Sequence, residues 1–290
     1  MTVRKRMVRI PTGPAGDAET LPWDRGRDEG RSEPNTGNRA LIPSLEWSRV
    51  CHHLPDMRRI RIDINGCLAG SPSCAPEAIE EYAVGWAFAN RFFTSPSELG
   101  RVTSTPVGVS MMVESGCDLD RRRYEAIGWI DEADQEFRSE WDGDARSARA
   151  PRAVAFIDDL TLLSATERVF GRFDADGTRF GFVHAAMVTR EDIVCVARDL
   201  TTEAAATKIL GWALRTGEDL AMSILVVRGV VDAPLVRAVG RSGITIIVTD
   251  AVPTRSAVKE ALASCTTILG LALSHRRALF ADGGQIGESA

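Results

Sequence analysis

The C-terminal third of the chain alternates helix and strand signals so regularly that few folds can accommodate it. "TEAAATKILGWALRT" (202–216) has helical spacing, with Thr201 or Thr202 as its cap. "MSILVVRG" (222–229) is a buried strand, "APLVRAVGRSG" (233–243) a helix closed by Gly243, and "ITIIVTD" (244–250) a strand. "PTRSAVKEALAS" (253–264) is a helix with Pro in its first turn, and "TTILGLAL" (266–273) a final strand. Strands that are apolar without alternation, joined by helices through short loops, predict parallel strands covered on both faces, with right-handed crossovers. In such a sheet ligands bind beyond the carboxyl ends of the strands. Three segments should converge there: Arg228-Gly229, Asp250 to Thr254, and Ser274-His275-Arg276-Arg277. Two helix N-termini point at the same edge and suit an anion, and the arginines can grip phosphate bidentately. A solvated loop after a strand also accounts for "SHRR".

Upstream, residues 1–42 are rich in Gly, Pro, Arg, Asp and Glu without aliphatic periodicity, which predicts a flexible arm. Residues 43–150 read as a smaller α+β part and 151–290 as the α/β domain. "RRIRIDING" alternates and ends in Asn65-Gly66, a hairpin signal. "SPSCAPEAIEEYAVGWAFANRFF" opens a helix, with Ile79, Tyr82, Ala83 and Trp86 at helical spacing. "VGVSMMVESG" is another strand, and a helix is expected around Ala133 to Trp141.

Composition bounds the function classes. Of 290 residues, 44% are hydrophobic and 26% charged, as in a soluble protein with a real core. A net charge of −5 argues against general nucleic-acid binding. No apolar run reaches the roughly 18 residues of a membrane helix. The basic start, MTVRKRMVRIPTG, has no apolar core behind it and is not a secretory signal, so a cytoplasmic location is expected. The six cysteines include no C-x-x-C pair, which predicts free thiols and no zinc site.

Standard nucleotide and hydrolase signatures are absent: no G-x-G-x-x-G after a strand, no G-x-x-x-x-G-K-[ST], no G-x-S-x-G. "FDADGTRF" lacks the later ligands of a calcium loop and reads as a hairpin turn at Asp176-Gly177. His52-His53 reads as surface imidazoles. In "GFVHAAMV" (181–188), His184 sits in an apolar run without zinc partners, which leaves a core group or an acid–base group.

Read in order, several segments resemble the formate dehydrogenase accessory sulfurtransferases of the FdhD type. "FGFVHAAMV" is similar to that family's T-G-G-x-H-A-A. "RDLTTEAAATKILG" stands where the family has E-D-V-G-R-H-N-A-V-D-K-V-I-G, matching at Asp199, Ala205, Lys208 and Gly211. "SGITIIVTDAVPTRSAVKEA" resembles A-G-I-P-x-x-x-S-x-S-A-P-T-x-L-A-V-x-x-A, matching at Gly243, Ile244, Pro253, Thr254, Ala257, Val258 and Ala261. "TILGLALSHRRALF" follows the T-L-x-G-F stretch and terminal Arg. "IDINGCLAGSPSCAPEAIEEYAVGWAFANRFF" resembles the family's N-G, C-T-P and E-E-L-A-x-G-F-L series.

The resemblance implies a two-part α/β protein with a C-terminal cytidine-deaminase-like α/β/α domain, usually a homodimer. It implies persulfide sulfur carried from a cysteine desulfurase to the molybdenum bis-guanine-dinucleotide cofactor of a molybdoenzyme client such as formate dehydrogenase. Binding of that cofactor, or of a guanine nucleotide, would then fall to Gly181, His184, Lys208, Thr254, Leu271, Ala272, Leu273, Ser274, His275 and Arg276. The family's C-G-x-C-G loop, which follows an Arg-Tyr pair, is missing: here "RRRYEAIGWIDEAD" holds no cysteine. Phe182 replaces the second glycine before His184, and G-R-H-N becomes Thr201, Thr202, Glu203, Ala204. Two thiols remain as candidates. Cys117 lies in the acidic "ESGCD", which weakens a thiolate. Cys74 in "SCAP" precedes a helix, whose N-terminus would favour one. Without a thiol at the cofactor edge, the chain would be a scaffold that binds the cofactor and transfers nothing.

Overall fold

The computed structural model describes residues 8–9, 56–114, 157–175, 181–190, 192–274 and 276–287. The helix expected near Ala133, the turn at Asp176-Gly177, His52, His53, Cys117 and His275 lie outside the described residues. Contacts divide the chain into one compact unit, Met1–Thr12 with Pro55–Ala290, and a second, Gly13–Leu54.

Within the first unit, β1 (Val8–Arg9) lies far in sequence from its partner, described below. Short strands β2 (Arg58–Arg59) and β5 (Ser73–Cys74) pair antiparallel around the hairpin β3 (Arg61–Ile64) and β4 (Cys67–Gly70). Asn65 and Gly66 both take positive φ, 52° and 79°, as a two-residue turn demands. The Asn65 side chain does a second job: its amide donates to the Val113 carbonyl (2.9 Å) and accepts from the Val113 N–H (2.8 Å). That ties the turn to β7 (Gly108–Val113), which runs parallel to β3 and antiparallel to β6 (Leu99–Thr105). Ile62, Ile64, Val109, Met111 and Val113 bury one face of this four-stranded sheet in a core shared with α1 (Ile79–Ala89).

The second sheet has seven strands in the order β1-β10-β9-β11-β12-β13-β14. After β8 (Ile157–Asp158) and α2 (Asp159–Ala175) come β9 (Val183–Val188), β10 (Ile193–Asp199), α3 (Thr202–Thr216), β11 (Ile224–Val227) and α4 (Ala233–Ser242). Then follow β12 (Ile246–Thr249), α5 (Arg255–Ala263), β13 (Thr267–Gly270), β14 (Ala278–Ala281) and β15 (Ile286–Gly287), which pairs with β8. Strands β11, β12 and β13 are adjacent and parallel, as their apolar runs predict. The strands flanking these three, which the sequence reading did not include, run otherwise: β9 is antiparallel to both β10 and β11, and β14 is antiparallel to β13. Two antiparallel steps leave β10 pointing the same way as β11, so β10 through β13 present most of their carboxyl ends on one edge.

Residue parity sorts the sheet's two faces, since successive side chains alternate. Ala185, Met187, Leu225, Val227, Ile247 and Ile268 share a core with α1, α3, α4 and α5. Ala186, Val188, Ile224, Val226, Ile246 and Val248 share another with Leu162, Ala165, Val169, Phe170 and Phe173 of α2. Helix α3 is buried from Ala204 to Leu214, pressed between the sheet and α1. A helix enclosed on all sides cannot be amphipathic, which explains its small apolar residues. Its ends are well marked: Thr201 Oγ1 accepts from the Ala204 N–H (3.1 Å), and Gly217 closes it at φ 73°.

Candidate functional site

The loops that follow β11, β12 and β13 are stitched into one rim. The Gly229 N–H donates to Asp250 Oδ1 (2.8 Å) and the Thr249 hydroxyl to the Gly229 carbonyl (2.6 Å). Thr254 N–H reaches the Val231 carbonyl (2.9 Å), Leu271 N–H the Ala251 carbonyl (3.2 Å), and Ala272 N–H the Thr249 carbonyl (3.0 Å). Each loop thus satisfies backbone groups of its neighbour that would otherwise need water. Leu271 turns the chain at φ 53°, a left-handed conformation that ends β13 at Gly270, earlier than the apolar run suggests. Beyond it, the Arg276 N–H donates to Ser274 Oγ (3.0 Å), while Leu273, Arg276 and Arg277 face solvent.

On the α2 face of this rim stands a cluster of cation, carboxylate and aromatic rings. By parity His184, Arg228 and Asp250 all belong to that face, and Ala272 is buried in its core. The His184 ring, 1% exposed, stacks on Phe173 with centroids 5.1 Å apart. The Arg228 guanidinium lies 5.4 Å from the Phe170 ring centre and 5.7 Å from that of Phe173. Its Nη1 donates to Asp174 Oδ1 at 2.7 Å, and its Nε is 3.5 Å from Asp250 Oδ2. The Arg228 N–H also donates to the His184 carbonyl (2.8 Å), which locks the strand ends together.

Lys208 sits in the other core, with α3. It is 1% exposed, bonded to Asp199 Oδ2 (2.6 Å) and donating to the carbonyls of Ala75 (3.3 Å) and Arg198 (3.2 Å). Asp199 also accepts from the N–H groups of Ala75 (3.1 Å) and Leu200 (2.7 Å). The pair therefore pins the Cys74–Ala75 segment to the end of β10. Arg198, one residue earlier, holds Glu77 in a bidentate pair (2.7 and 3.1 Å) and lies 4.8 Å from the Phe182 ring centre. Thr254 is engaged as the cap of α5, accepting from the Ala257 N–H (3.1 Å). So the residues singled out in sequence separate: His184 and Ala272 belong to the α2 face, Lys208 to the opposite face, and Gly181 stands exposed before β9.

The thiols divide as clearly. Cys74 is fully buried, and burial pushes its pKa up to about 12, although the Lys208 ammonium acts the other way. The expected benefit from the helix N-terminus is overridden by desolvation. Cys195 is buried with its pKa also raised; Cys67 on β4 and Cys265 before β13 are exposed. Cys265 lies at the amino end of β13, the edge away from the rim. Iodoacetamide at pH 8 should therefore alkylate Cys67 and Cys265 in the folded protein and leave Cys74 intact by mass spectrometry. A thiol four units below its pKa is thiolate only about once in 10⁴. Rapid labelling of Cys74 would contradict this burial. No group of three or more His, Cys, Asp or Glu able to hold a metal occurs among the described residues.

Arg228 was expected at this edge from sequence, but Asp174 and the two phenylalanines that surround it were not singled out. Leu162, Ala165, Val169, Phe170 and Phe173 recur at helical spacing, and that signal could have found α2 and the ring wall it supplies.

A mixed α/β protein with a stitched carboxyl-edge rim is thus the class that fold and site define. The chain belongs to the FdhD/NarQ family, whose model matches residues 57–286. It is 27% identical over 234 residues to the sulfur carrier protein FdhD of Methanothermobacter thermautotrophicus, covering 80% of this chain and 90% of the relative. The crystal structure of a formate dehydrogenase accessory protein from Desulfotalea psychrophila superposes with a TM-score of 0.63 at 18% identity, covering 81% of this chain and 91% of the other. No helix among the described residues is long and apolar enough to cross a membrane.

Proposed function

We propose that this chain is an accessory protein in formate dehydrogenase maturation, which holds the molybdenum bis-guanine-dinucleotide cofactor, or a guanine nucleotide, by its phosphates at the α2-facing rim. The observation that carries this reading is the convergence, on one stitched edge, of Arg228, Arg276 and Arg277 with the turn at Leu271–Ser274. Guanidinium groups suit phosphate oxygens in geometry and charge. The residues present fit the phosphate-bearing part of such a ligand: Arg276 and Arg277 are exposed cations, and Arg228 lies against the Phe170 and Phe173 rings at the end of β11. Bound cofactor would supply the redox centre that the client requires; the chain's own residues bind and orient it. His184 contributes a wall through its stacking on Phe173. The protein acts as a cytoplasmic homodimer with a cytidine-deaminase-like second part, delivering to a formate dehydrogenase client.

Binding rather than sulfur transfer is favoured because Cys74 is sealed and protonated. Sulfur transfer from a cysteine desulfurase remains the second reading, carried by Cys117. Incubation with a desulfurase and cysteine, with Cys117→Ala as control, decides it: a Cys117-dependent persulfide restores the transfer reading. Calorimetric titration with GDP tests the binding reading. Arg276→Ala should weaken GDP by about tenfold or more, the loss of one charge-assisted contact. Unchanged affinity would misplace the site.

A further inference from the structure

Arg228 has two carboxylate partners of different standing. Asp250 is held: its Oδ1 accepts from the Gly229 N–H (2.8 Å) and its side chain is 24% exposed. Asp174 stands in the last turn of α2 with a side chain 65% exposed, and the Arg228 contact is its ion pair on that turn. The Arg228 side chain is 17% exposed and lies against Phe170 and Phe173, so contacts besides Asp174 hold it in place.

We propose that Asp174 is a resident substitute for a ligand phosphate on Arg228, displaced when an anion binds the rim. This deepens the binding reading above and rests on it. An ion pair with a solvent-exposed carboxylate is weak, whereas a phosphate offers more charge and a bidentate fit to the guanidinium. Exchange is therefore favourable, and no bond is made or broken beyond the ion pair. The ring platform keeps the guanidinium in place during the exchange, so little side-chain entropy is lost on binding. Asp174 then sets a threshold: weak or singly charged anions fail to dislodge it, while pyrophosphate-bearing ligands succeed. The rim is selective for strong polyanions because a carboxylate already occupies its best cation.

The test is a set of titrations of GDP and of inorganic pyrophosphate into the full-length protein and its variants. Asp174→Asn removes the competitor and should tighten both ligands about two- to fivefold, the equivalent of the lost ion pair. Arg228→Gln should weaken both at least about tenfold, and the double variant should behave like Arg228→Gln alone. A purely structural ion pair predicts the opposite sign for Asp174→Asn, since loosening the end of α2 would weaken binding. Asp174→Asn affinity equal to or below that of the parent overturns the exchange. Should Arg228→Gln fail to fold, as judged by thermal unfolding, Arg228→Lys keeps the charge but not the fork, and should fall between. Failure of the parent to bind either ligand removes the functional reading and this inference together. Binding that depends on Arg276 but is indifferent to Asp174 removes this inference alone.

Discussion

Gly211→Ala is expected to lower the unfolding free energy by about 3 kcal/mol or more, the upper range for overpacking a core. A Cβ at Gly211 would overlap the Glu81 carbonyl oxygen and come within 2.8 Å of the Gly85 nitrogen. Gly85 is placed the same way against the Thr207 carbonyl oxygen. Helices α1 and α3 cross backbone against backbone at these two glycines, and neither obstacle is the end of a flexible side chain. Helix propensity alone would favour alanine by about 1 kcal/mol, so the sign of the effect separates the two causes. Urea unfolding monitored by tryptophan fluorescence measures it; a neutral or stabilising result would mean that the helices are further apart than described. Glu80 and Glu81 hold Arg215 at 2.8 and 2.6 Å across the same crossing, so separation would also break these pairs.

The second large effect is at Lys208. Lys208→Met should cost about 3–5 kcal/mol, because Asp199 would keep its charge in a site with no access to water. Its remaining donors, the N–H groups of Ala75 and Leu200, do not neutralise it. Combining Lys208→Met with Asp199→Leu should recover part of the loss, since two apolar groups remove the uncompensated charge. Chemical denaturation of the three variants provides the measurement. If Lys208→Met were harmless, the buried pair would not hold the Cys74–Ala75 segment in the way the distances indicate. The effect on GDP affinity should be small beside the effect on stability, because Lys208 and the rim lie on opposite faces of the sheet.

The three parallel strands of the second sheet and the helices between them were legible because they carry a strong local signal. Helix α3 spans Thr202–Thr216 as its spacing predicts, and β11, β12 and β13 lie parallel as their apolar runs require. The hairpin at Asn65-Gly66 was equally plain, since two positive φ angles call for that pair. What escaped were features without a local mark. Nothing in "GLAL" says that a leucine will adopt positive φ, so the apolar run extends three residues past the end of β13 at Gly270, and β14 beyond it carries no comparable signal. The site was legible only as an edge. Which residues share it depends on which face each element covers, and that depends on packing between segments distant in sequence. Arg198 and Asp199 are neighbours in the chain, yet one reaches Glu77 and the other enters the α3 core. His184 and Lys208 belong to neighbouring motifs in the same way and still end on opposite sides.

The cross-loop hydrogen bonds at Gly229, Thr249, Ala251 and Leu271 bear on how tightly anything can be gripped there. Loops that must be ordered by their ligand subtract that ordering from affinity. Here those bonds form when the chain folds, so on the proposed reading a phosphorylated guest would meet loops already joined to one another. Cutting a single stitch, as Thr249→Val would, should therefore reduce binding without removing any group that touches the guest.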